Sequence, residues 1–159
     1  MSVEASAIYG QEKVLKSEDW WAVWLGLVVF FLGLAPIYGI DALGWVFKNS
    51  VWTDVAKSVS PVSATYKSLS GLTSVILTYL FMLGLTTVGA VAMGKNLVKF
   101  VIGFSVIFWI VFACSILGHY AYIAATPDKQ AAFKIPWSLS LGEMGYVFAM
   151  IIGLIIGNF

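Results

Sequence analysis

Four stretches of this chain carry no charged side chain: Trp20 to Ile40 with 21 residues, Ser68 to Gly94 with 27, Phe100 to Pro127 with 28 and Met144 to Phe159 with 16. An α-helix needs about 20 apolar residues to cross the ~30 Å hydrocarbon core of a bilayer. The first three windows are long enough, and the fourth is expected to cross as well. Inside hydrocarbon every backbone N–H and C=O must be satisfied by the protein itself, which leaves helices or a closed barrel. A barrel would show alternating segments of about 10 residues, whereas these windows are continuously apolar. The expected fold class is therefore all-α, a polytopic transmembrane helical bundle with four spanning helices. Composition agrees: 60% of the residues are hydrophobic and 11% charged, against roughly 45–50% and about 25% in soluble domains.

The charged residues exclude some functions. Nine lysines, no arginine and eight acidic residues leave a formal charge of +1, too little for a nucleic-acid footprint. The lone Cys114 can form neither an intramolecular disulfide nor a multi-cysteine metal site, and it reads as packing. Residues 1–19 form a polar tail in which Glu4, Glu12, Glu18 and Asp19 mix with Lys13 and Lys16. That is no cleavable signal peptide, so the first helix is expected to act as an uncleaved anchor.

Ser17 stands where a helix cap belongs, and Glu18 and Asp19 suit the positive end of the helix dipole. Trp20, Trp21 and Trp24 read as an interfacial aromatic cluster, and the first helix is placed at about 20–40. Over residues 42–59 the residues Trp45, Phe47, Val51, Trp52, Val55 and Val59 fall broadly on one helical face. Lys48, Val46 and Leu43 break that pattern. An interfacial helix is expected there, with a partly ordered loop as the competing reading. The second helix is placed at about 68–94 and the third at 97–125, joined by a tight turn at Gly94-Lys95-Asn96 into an antiparallel hairpin. Thr126-Pro127-Asp128-Lys129 reads as a stop, residues 126–137 as a linker, and residues 138–159 as the last helix.

Few residues could carry chemistry. His119, the only histidine, lies late in the third helix between Leu117-Gly118 and Tyr120-Ala121-Tyr122. It reads either as an interfacial packing residue or as a substrate or proton candidate. Glu143 opens the fourth helix, where the dipole accounts for a carboxylate, with a cation or proton site as the alternative. Gly145, Ala149, Gly153 and Gly157 recur every four residues and form a small-residue stripe suited to close helix packing. No nucleophile–base pair, metal-ligand cluster or phosphate-cradling loop is present in the sequence, so neither catalysis nor a cofactor is expected.

Two motifs carry a resemblance. Ser17-Glu18-Asp19-Trp20-Trp21-Ala22-Val23-Trp24-Leu25-Gly26-Leu27 resembles the start of the N-terminal extension of long members of the sulfate exporter family of bacterial inner-membrane transporters. Ile135-Pro136-Trp137, a short linker, and Tyr146 to Phe159 with Gly153-Leu154-Ile155-Ile156-Gly157-Asn158 resemble the opening helix of that family's core. The resemblance implies that residues 20–125 are the extension and residues 138–159 the first core helix of a truncated transporter, in the bacterial inner membrane, with an inorganic anion as substrate. Its partners would be the lipid bilayer and the remainder of the transporter core. A small accessory membrane subunit, packing on a larger complex through the same glycine stripe, is the alternative.

Overall fold

The computed structural model describes residues 17–158; the tail reading for residues 1–16 and the final Phe159 fall outside the described residues. The chain divides into two compact units, the first running to Leu43 and including Tyr79–Ser105, the second formed by Gly44–Thr78 and the chain from Val106 onward.

The first unit opens with helix α1, Glu18–Leu34, which passes into a 3-10 turn at Ala35–Tyr38. Ser17 caps it as the sequence indicates, its hydroxyl accepting from the Trp20 N–H at 3.3 Å. Pro36 and the left-handed Gly39, at φ 77°, end it. Helix α2, Gly71–Ala92, gives this unit its part from Tyr79 onward, and helix α3, Leu97–Gly118, its part up to Ser105, joined by the expected turn with Gly94 at φ 69°. Gly89 brings α1 and α2 close: a Cβ there would stand 3.2 Å from Leu25 Cδ1. Within this unit the Tyr79 hydroxyl meets Ser105 Oγ at 2.7 Å, and Ser105 donates onward to the Val101 carbonyl at 2.6 Å. Such bonds between helices satisfy polar groups that lipid cannot.

The second unit departs from the sequence reading. Residues 42–59 are not an interfacial helix: strand β1, Phe47–Asn49, pairs antiparallel with strand β2, Val59–Pro61, in the register Phe47↔Pro61, Lys48↔Ser60 and Asn49↔Val59. The period is two rather than 3.6. Phe47 packs edge-on against Phe112 with ring centroids 5.5 Å apart, Asn49 Nδ2 donates to Ser115 Oγ, and Lys48 between them is exposed. Asp54 and Ser58 spend their side chains on local backbone bonds in the connecting turn, to Ala56 N–H and Val55 C=O, the competition that disfavours a helix at such residues.

The third helix also ends earlier than expected. It stops at Gly118 instead of running to residue 125, and a one-turn helix α4, Ala121–Ala124, follows an extended Tyr120. The region taken as a linker contains helix α5, Pro127–Phe133: Pro127, read as a stop, occupies the first turn, where its missing N–H costs nothing and its φ is already helical. Helix α6 covers Met144–Asn158, 15 residues, or ~22 Å at ~1.5 Å per residue. Three segments, Glu18–Tyr38, Gly71–Ala92 and Leu97–Gly118, are long and apolar enough to cross a membrane, and α6 falls short of that length. Most of their apolar surface is uncovered, Leu80, Val106 and Ile107 being more than half exposed, as suits helices solvated by lipid.

Candidate functional site

The site grows from the place where α3 breaks. A helix end leaves carbonyls short of intrahelical partners; here the His119 and Tyr120 N–H groups take the Ser115, Ile116 and Leu117 carbonyls, and Trp52, far away in sequence, adds donors to Ile116 and His119. The Trp52 backbone N–H donates to the His119 carbonyl at 3.1 Å, and the Ala121 N–H donates to the Trp52 carbonyl at 2.8 Å. The Trp52 indole N–H donates to the Ile116 carbonyl at 2.8 Å, and its ring lies 5.0 Å from that of Tyr120. One tryptophan thus caps α3, starts α4 and fixes His119 between them.

His119 is half-buried, and its Nδ1 lies 2.8 Å from the Ser115 carbonyl. A carbonyl can only accept, so that contact puts the proton on Nδ1 and leaves Nε2 without a protein partner among the described residues. The ring lines a half-open cavity of about 680 Å³ shared with Lys48, Asn49, Ser50, Thr126 and Lys129. That volume lies within the ~300–1,000 Å³ range of small-molecule clefts. Among the described residues lining it there is no carboxylate. Lys48 sends its ammonium toward the Val62 carbonyl, 3.4 Å away, whereas Lys129 makes no ion pair among the described residues.

The segment closing the cavity is held by backbone bonds. Leu139 N–H and Leu141 N–H donate to the Tyr122 and Ile123 carbonyls at 3.0 and 2.7 Å. Ser140, in the left-handed region at φ 55°, donates its hydroxyl to the Ala125 carbonyl at 2.9 Å. These bonds bring Gly142 to the cavity wall.

The other candidates are placed as follows. Glu143 is exposed, immediately before α6, and does not line the cavity although Gly142 beside it does. Of the small-residue stripe, Gly145 is buried: it meets the backbone of Ser115 and Cys114, and a Cβ on Gly118 would overlap the Gly145 backbone. Ala149 is half-buried, while Gly153 and Gly157 are exposed with open space beside them. Sequence reasoning placed His119 but missed Lys129, Asn49 and Thr126. The signal in the sequence is slight: Lys48 and Lys129 lie in the polar segments between apolar windows, whereas His119 lies near the end of the uncharged window Phe100 to Pro127.

The fold is mostly α-helical, with three helices long and apolar enough to cross a membrane, and it suits a membrane protein. The chain is similar to the UPF0324 membrane protein of Nitrosomonas europaea, 33% identical over 147 residues, a match taking in 91% of this chain and 30% of that protein. It therefore spans less than a third of the length of that relative. No family model matches the chain, and no solved structure matches it.

Proposed function

We propose that this chain is the N-terminal membrane portion of a multi-pass transporter of the bacterial inner membrane that exports an inorganic anion of the sulfate type. The carrying observation is the pairing of three membrane-length apolar helices with similarity to a membrane protein more than three times as long as the matched region. The rest of the transport core would pack on α6, where Gly153 and Gly157 leave a helix face open to close approach. No catalytic step and no cofactor belong to this reading.

The test is flux. The complete gene product, reconstituted in proteoliposomes loaded with labelled sulfate, should release it faster than protein-free vesicles; release no faster than from protein-free vesicles would contradict the proposal. The open face of α6 also favours a second reading, an accessory subunit docking through the same stripe. In that case Gly153→Ile with Gly157→Ile abolishes co-purification of a separate membrane protein, and unchanged co-purification removes the reading.

A further inference from the structure

We propose that the cavity at the α3–α4 break binds the phosphate group of an anionic phospholipid, independently of any transported anion. Its depth is set by sequence: His119 directly follows Gly118, the last residue of the third membrane-length segment, so the cavity opens where headgroups lie. The neighbouring aromatics agree, Tyr120, Tyr122 and Trp137 forming a chain with ring centroids 5.5 and 5.4 Å apart, the amphipathic rings that favour that level.

The walls match a lipid better than a free ion. Lys48, His119, Thr126 and Lys129 contribute polar side chains to the lining, while Val51, Ala124 and Phe133 line the same cavity with hydrocarbon. A phosphodiester would take its charge-assisted contact from Lys129, beside the half-buried ring of His119, and its glycerol and first methylenes would cover the apolar residues. Basic pockets at the ends of membrane helices hold anionic headgroups by the same combination. Lys129 sits on α5, fully outside the membrane-length segments, where its stem can reach over the cavity while the ammonium stays at the polar boundary.

Native mass spectrometry of the purified full-length protein, titrated with phosphatidylglycerol or phosphatidylcholine, tests this. The wild type should retain phosphatidylglycerol in preference, Lys129→Gln combined with His119→Gln should weaken that retention about tenfold, the size of losing one strong charged contact, and Lys129→Arg should keep it. Lys57→Gln, an exposed lysine away from the cavity lining, should change nothing. Equal retention by the wild type and the double variant overturns the proposal. So does displacement of the lipid by millimolar sulfate or inorganic phosphate, which would make this a free-anion site. Sulfate flux measured on the same variants separates this site from transport: loss of lipid retention with flux intact supports the lipid site alone.

Discussion

The indole N–H of Trp52 donates to the Ile116 carbonyl at 2.8 Å across 64 residues of sequence. That bond gives the Ile116 carbonyl a second donor beside the His119 N–H at 3.1 Å, at the place where α3 stops, and it couples the segment between the strands to the position of His119. Replacing Trp52 with Phe keeps an aromatic ring beside Tyr120 but removes the donor. The variant should lose about 1 kcal/mol, the net worth of a neutral hydrogen bond, measured by reversible unfolding in mixed micelles. A stability equal to that of the wild type would mean that the His119 N–H alone satisfies the carbonyl.

Gly118 and Gly145 meet backbone to backbone, and a Cβ on Gly118 has no room. Gly118→Ala should destabilise the protein by roughly 1–3 kcal/mol through overpacking. Gly153→Ala, where nothing lies within 4 Å, should leave the unfolding of this chain unchanged. Thermal unfolding of the two variants side by side checks the contrast.

Much of this architecture is legible in sequence because lipid imposes a blunt rule. Three uncharged windows become three membrane-length helices, and Ser17 and Gly94 act at the positions their chemistry suggests. What the sequence hides is tertiary override. Nothing local in Leu117-Gly118-His119-Tyr120 ends a helix; the break exists because Trp52 supplies backbone bonds from the hairpin and Gly145 presses on Gly118. Likewise Trp45 to Val59 offers helical and extended patterns together, and the contacts of Phe47 and Asn49 with α3 select the extended one. The candidate site inherits that difficulty: His119 is conspicuous as the only histidine, but Lys129 joins it only once Pro127 starts a helix.

Gly94 turns α2 into α3 at φ 69°. An L side chain in that region costs roughly 1–2 kcal/mol, so Gly94→Ala should lower stability by that amount without altering which residues are membrane-embedded. A stability loss accompanied by new protease cleavage inside α2 or α3 would instead indicate that the hairpin itself depends on Gly94.

Lys95 and Glu18 form an ion pair at 2.7 Å, with both side chains more than half exposed. Exposed pairs contribute little and are screened by salt. In a double-mutant cycle with Lys95→Gln and Glu18→Gln the coupling should be small at low ionic strength and vanish in molar salt; a coupling that survives salt would indicate a drier environment at that end of α1.

Glu18–Tyr38, Gly71–Ala92 and Leu97–Gly118 are each long and apolar enough to cross a membrane, and we propose that each does. Single cysteines at Lys57, Lys95 and Lys129, introduced into a Cys114→Ala background and probed with an impermeant maleimide from each side of sealed vesicles, measure it directly. Lys57→Cys and Lys129→Cys should label from one side and Lys95→Cys from the other. Labelling of all three from the same side would contradict the account.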